Sequence, residues 1–131
     1  MEKFYNKIFL GEWFYLSPSV MKGKKYGKED DVWAVGILLI EMATFHNKPH
    51  YDPYDRKFGE PLLTAEQVTA GEHLKTVSQY SNDVRNIVDA LLQVDEAKRV
   101  TMRDILHFPA LSDEVNKLKK SADFLQQFAA V

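Results

Sequence analysis

His46, His50, Asp52 and Asp55 fall close together and carry imidazole nitrogens and carboxylate oxygens of the kind that bind transition metals. Pro49 stands between the two histidines and denies them a shared helical face, so the stretch reads as a polar surface loop without a metal. Ser17, Ser19 and Ser112 offer hydroxyls, yet no histidine and aspartate stand at a spacing that would make any of them a nucleophile. The six glycines never form G-x-G-x-x-G, the loop whose backbone amides cradle phosphate. The absence of cysteine excludes thiolate chemistry, disulfides and cysteine-containing zinc sites. What remains is charge set among apolar residues. Asp31 heads an apolar row containing Trp33, where a carboxylate suits a helix N-terminus, and Asp95 precedes Arg99 in a short polar stretch. Such groups hold a structure together rather than turn over a substrate.

The elements that would position them follow from periodicity. From Asp31 to about Phe45, apolar residues fall on nearly every side of a helix, and such a helix must be surrounded by protein. Ahead of it, residues 1–26 mix aromatics with Gly11, Pro18 and Gly23, which predicts a loop-rich opening segment with one helical turn after Pro18. Residues 46–61 carry Pro49, Pro53, Gly59 and Pro61 and form a polar connection, and Leu62 to Gly71 reads as a short helix. Ser81 caps a helix whose apolar face is Val84, Ile87, Val88, Leu91 and Leu92. Thr101 with Asp104 starts another short helix that Pro109 would end. From Ser112 onward, Val115, Leu118, Ala122, Leu125 and Phe128 share one face while Lys117, Lys119 and Lys120 stay in water.

Bulk properties narrow the function. A chain of 131 residues fits one compact domain and is short for a two-lobed enzyme. With 17 basic and 19 acidic side chains, the formal charge of -2 supplies no field to hold a polyanion, so nucleic acid is not an expected partner. The longest apolar stretch, Val32 to Ala43, is interrupted by Gly36 and Glu41 and is too short to span a bilayer. Glu2, Lys3, Asn6 and Lys7 leave no apolar signal core at the N-terminus, and the expected location is the cytoplasm, with the nucleus as the alternative.

Two stretches carry a family resemblance. Gly11-Glu12-Trp13-Phe14-Tyr15-Leu16-Ser17-Pro18-Ser19, followed by Asp31-Val32-Trp33-Ala34-Val35-Gly36, resembles the end of a eukaryotic protein-kinase activation segment and the central helix of the C-lobe. Asp95 through Arg99 and Thr101, continuing to Pro109, is similar to the D-x-x-x-R-x-T motif and the short helix after it. Order and spacing match together, and Tyr15-Leu16-Ser17-Pro18 resembles the NIMA-related serine/threonine group. The resemblance implies an all-α fold, a kinase C-lobe-like subdomain over residues 1–111 with an amphipathic helix over 112–131, lacking N-lobe and catalytic loop. It makes Gly11, Ser17, Pro18, Ser19, Asp31, Trp33, Gly36, Asp95 and Arg99 the family-matching structural residues.

The departures matter as much. The family arginine matching Arg99 pairs with a glutamate where this chain has Ser19, so Arg99 is expected to turn to Glu12, Glu29, Asp95 or solvent, and its removal to cost less than about 2 kcal/mol. The family aspartate matching Asp31 accepts hydrogen bonds from a catalytic loop, and here Asp31 is expected to cap its helix instead. Phosphoryl transfer needs a glycine-rich loop, a lysine with its glutamate, a catalytic aspartate and asparagine and a metal-binding aspartate, all of which precede the activation segment in the family. His50-Tyr51-Asp52 and Lys57-Phe58-Gly59 imitate two of these motifs on the wrong side of that segment. No catalytic, cofactor or metal residue is therefore assigned, and ATP and magnesium would require another portion.

Three readings follow: a catalytically incomplete kinase-like module that binds protein or acts as a scaffold; a truncated or split part of an active serine/threonine kinase; and an unrelated all-α interaction domain. Trp13, Phe14, Tyr15, Trp33 and Leu39 are the candidate interface, for a homodimer or a partner protein that covers the apolar central helix.

Overall fold

The computed structural model describes residues 12–47 and 61–129, with the side chains of residues 12, 13, 45–47, 124, 128 and 129 left aside. Gly11, His50, Asp52, Asp55 and the Lys57-Phe58-Gly59 imitation lie outside the described residues, as do the side chains of Trp13 and His46. Among the described residues every regular element is helical. They divide into two compact units, one ending at Val100 and one beginning at Thr101.

In the first unit a 3-10 turn, Glu12–Tyr15, precedes α1 (Pro18–Met21), which starts because Pro18 fixes the first helical φ and the Ser17 hydroxyl accepts the Val20 N–H at 3.4 Å. The central helix α2 (Lys28–Asn47) begins one turn earlier than its apolar row indicates. Glu29, Asp30 and Asp31 occupy its first turn, where the helix dipole favours acid. After the connection, α3 (Ala65–Thr69) opens with a reciprocal capping box between Thr64 and Gln67. Gly71 at φ 80° then turns the chain into α4 (Glu72–Thr76), a helix with no periodic signature in the sequence. Next comes α5 (Asn82–Leu91), capped by Ser81, and a 3-10 turn, Glu96–Lys98, capped by Asp95.

The core forms where α2 packs against α4, α5 and the first 3-10 turn. Trp33, Ile37 and Ile40, spaced i, i+4 and i+7, are fully buried and meet Val77, Val88, Leu92 and Phe14. Burial of these side chains is the principal stabilising term for the unit, roughly 1.5–3 kcal/mol for each large one. Leu38 and Met42 lie on another side of α2 and remain 47% and 61% exposed. This corrects the expected open face: Trp33 is 0% exposed and belongs to the core, and Leu39 is half-buried against it. Apolar residues surround α2, so periodicity alone could not say which strip stays open.

Gly36 lies on α2 directly against the end of α5. A methyl there would lie 2.6 Å from Leu92 Cδ2, 2.7 Å from its Cγ and 3.1 Å from Leu91 Cβ. Leu92 is itself fully buried and must shift to admit it. Gly36→Ala therefore loses stability by about 1–2 kcal/mol in urea unfolding, overpacking exceeding the helix-propensity gain of up to about 1 kcal/mol; a stabilised variant would contradict this contact.

In the second unit Thr101 and Asp104 form the expected capping box and start α6 (Met102–Ile105). Pro109 does not end that helix. It occupies the first position of α7 (Pro109–Ala129), where a missing N–H costs nothing, so the tail helix starts ahead of Ser112.

Candidate functional site

Two polar networks fasten the segment from Ser17 to Lys24 onto the head of α2 and the turn at residues 95–99. The inner one centres on Asp30, which is 1% exposed. Its carboxylate accepts the hydroxyl of the equally buried Ser17 at 2.5 Å and the Gly27 N–H at 2.6 Å. Gly27 and Asp30 are spaced as a helix cap and its third residue, so Asp30 supplies the acid half of a capping box while locking Ser17 in place. The role expected of Asp31 therefore belongs to Asp30. Asp31 is exposed and accepts the Tyr26 hydroxyl, because a helix turns neighbouring residues about 100° apart and only Asp30 faces Ser17.

The outer network joins Ser19, Lys24, Glu29 and Glu96. Ser19 and Lys24 both donate to the Glu96 carboxylate, and Lys24 reaches Glu29 at 2.8 Å. Glu96, from the turn that also carries Asp95 and Arg99, thus comes to meet Ser19. The Lys24 ammonium is held above its ordinary pKa by hydrogen bonds to Glu29 and then Glu96. Glu29 and Glu96 are each held below the ordinary carboxylate range, first by the bond from Lys24.

Arg99 is the centre of the third contact set and is 6% exposed. Nε donates to the Gln93 carbonyl at 2.9 Å, Nη1 to the Glu29 carbonyl at 2.7 Å and Nη2 to the Val94 carbonyl at 3.4 Å. Its guanidinium carbon lies 5.2 Å from the centre of the Trp33 ring, within cation–π range. Burial lowers the Arg99 pKa, opposed first by the charge of Asp30. The expectation of an acidic side chain or solvent as its hydrogen-bond partner is corrected: backbone carbonyls take that place, Glu29 contributing its carbonyl and not its carboxylate. Asp95 accepts the Ala97 N–H at 3.0 Å and shapes the turn that delivers Arg99.

Of the remaining sequence candidates, Phe14 is buried in the core and Tyr15, half-buried, donates its hydroxyl to Glu41. Sequence reasoning missed Asp30, Lys24 and Glu96; only the Gly27–Asp30 spacing carried a signal. It also missed His73, which is buried with Nε2 2.9 Å from Asp89 Oδ1.

Next to the fastened segment lies a cleft of about 240 Å3, with Leu16, Pro18 and Met21 on one side and Pro61, Leu63 and Ala65 on the other; Lys22, Thr64 and Glu66 complete its lining. It is mainly apolar with a charge of each sign, which suits a short segment of protein better than a phosphate or metal.

The charge network gives a pH prediction with a definite sign. Depressed folded-state values for Glu29 and Glu96 mean that their stabilisation is present above the ordinary glutamate range and is lost as pH falls through the folded values. For Lys24 it is present below the ordinary lysine range and lost as pH rises through the raised value. The difference in urea midpoint between the chain and its Glu96→Gln variant should be widest near neutral pH and close toward acid. A gap unchanged into strong acid would contradict the network.

Comparison with known proteins agrees with the motifs. The protein kinase domain family matches residues 2–111. The probable serine/threonine-protein kinase nek2 of Dictyostelium discoideum is 30% identical over 118 residues, 90% of this chain and 27% of that protein. Its nek3 counterpart in the same organism is 32% identical over 104 residues, 79% of this chain and 9% of that protein. Human serine/threonine-protein kinase Nek2 is 25% identical over 111 residues, 85% of this chain and 23% of that protein. The chain thus spans about a quarter or less of the length of these relatives. No solved structure matches. Among the described residues no helix is long and apolar enough to cross a membrane. The reading as an unrelated all-α domain falls: the chain belongs to the eukaryotic protein kinase domain family.

Proposed function

We propose that this chain is a C-lobe part of a protein kinase domain that works by binding protein at the cleft between α1 and α3, and that its own residues transfer no phosphoryl group. The observation that carries the reading is the cleft itself. The segment that forms one wall, which resembles the end of an activation segment, is tied down through Asp30, Glu96 and Lys24 beside Pro61, Leu63 and Ala65. A preformed apolar groove spares a bound segment part of the ordering cost of association. The groups that phosphoryl transfer requires are not found in this sequence in the family's order.

The test is a displayed library of extended peptides panned against the purified chain. Enriched peptides should carry an apolar anchor, bind with micromolar Kd and lose about tenfold or more in affinity to a Met21→Glu variant. Enriched peptides that bind that variant equally well would overturn the cleft as the site.

The open strip of α2 favours a second reading. Leu38 and Met42 are the surface that a separate nucleotide-binding portion, on this chain's extension or another chain, would cover. In that case the chain is part of an active serine/threonine kinase, and ATP with magnesium binds only to the assembly.

A further inference from the structure

The most exposed apolar residues outside α2 lie on α7. Leu111, Val115, Leu118, Ala122 and Leu125 follow one another at alternating spacings of four and three, the heptad pattern of a coiled-coil seam. Leucine takes every d position, and Val115 and Ala122 take the a positions between them. Leu118 and Leu125 are 69% and 64% exposed, Ala122 is exposed, and Val115 and Leu111 are half-buried. From Leu111 to Leu125 every apolar residue but Phe124 keeps to a and d, with Phe128 following at g, a stripe narrower than the broad apolar face of a helix that lies in a membrane surface.

We propose that α7 pairs in parallel and in register with α7 of a second copy of this chain, forming a short two-stranded coiled coil. Charge selects this occupant. With the leucines at d, Glu114 falls at g and Lys119 at the following e position, the two places that meet across a parallel seam. Each side of the two-fold pair then gains a Glu114 to Lys119 contact at the same level of the seam. An antiparallel arrangement sets g beside g and e beside e and loses this match. In the single chain Glu114 instead takes the Lys117 ammonium at 2.7 Å, with both side chains largely exposed. That pair is weak enough for Glu114 to be shared with the partner. A valine at a with leucine at d favours two strands, and the single half-buried Val115 beside the small Ala122 makes the seam modest, so the pairing is a reversible, concentration-dependent equilibrium. The inference stands apart from the cleft reading, since none of these residues lines the cleft.

Sedimentation equilibrium of the whole chain from low to high micromolar concentration should show a monomer–dimer equilibrium. The double variant Leu118→Asp with Leu125→Asp should remain monomeric, with the thermal midpoint of the dilute wild type. Lys119→Glu should weaken dimerisation about fivefold, and adding Glu114→Lys should restore it. Orientation is read by crosslinking, which the absence of native cysteine makes clean. Leu125→Cys should form a disulfide-linked dimer under mild oxidation, and the outward-facing Lys120→Cys should not. A chain that stays monomeric throughout, a dimer that survives the double aspartate variant, or equal crosslinking at both positions would each overturn the proposal.

Discussion

Replacing Arg99 with alanine is expected to destabilise the chain by about 3 kcal/mol, read as a shift in urea midpoint at constant slope. The guanidinium is nearly inaccessible and satisfies carbonyls of Gln93, Glu29 and Val94, which belong to segments far apart in sequence. Truncation leaves those acceptors inside the protein with only such water as enters the void, at roughly 1–3 kcal/mol for each group left unsatisfied. It also removes the cation from the Trp33 face and the countercharge from Asp30. Lysine is too short and too compact to serve three diverging carbonyls, so Arg99→Lys should recover no more than about half the loss. The sequence alone supports the opposite expectation, a cost below about 2 kcal/mol, because residue types mark only carboxylates and solvent as partners for a guanidinium. A loss under about 1 kcal/mol would show that the carbonyl contacts contribute little.

The neighbouring aspartates should behave oppositely. Asp30→Ala is expected to cost about 3 kcal/mol, because two hydrogen bonds to a charged acceptor disappear, the Gly27 N–H loses its acceptor and the fully buried Ser17 hydroxyl keeps, as a donor, only the longer contact to Ser19 at 3.3 Å. Asp31→Ala should stay within about 0.5 kcal/mol, since its contact to Tyr26 is at the surface. Asp30→Asn keeps one acceptor and the shape, and should fall between. Equal effects at both positions, or a larger one at Asp31, would contradict the assignment of the anchoring role to Asp30.

What the sequence disclosed follows from where each signal resides. The helix after Ser81 was legible because its cap and its i, i+3, i+4 face agree, and Val88, Leu91 and Leu92 are the residues it buries. The two motifs were legible as types in order, which sufficed for the family and the all-α class. The open strip of α2 was not, because a helix apolar all round has no preferred face until its neighbours are placed. Pro109 reads equally as a stop and as a start. The partners of Arg99 are main-chain carbonyls, which every residue carries and no residue type marks. Glu96 meets Lys24 and Ser19 only through tertiary contact, so its substitution for the family's ion pair could not be read from either stretch alone.

We propose that this part of a kinase domain holds no nucleotide by itself and so lacks phosphoryl transfer on its own. Calorimetric titration of the purified chain with ATP and magnesium should give no heat beyond dilution up to millimolar nucleotide, whereas a saturable isotherm with a micromolar constant would reveal a nucleotide site formed by these residues alone.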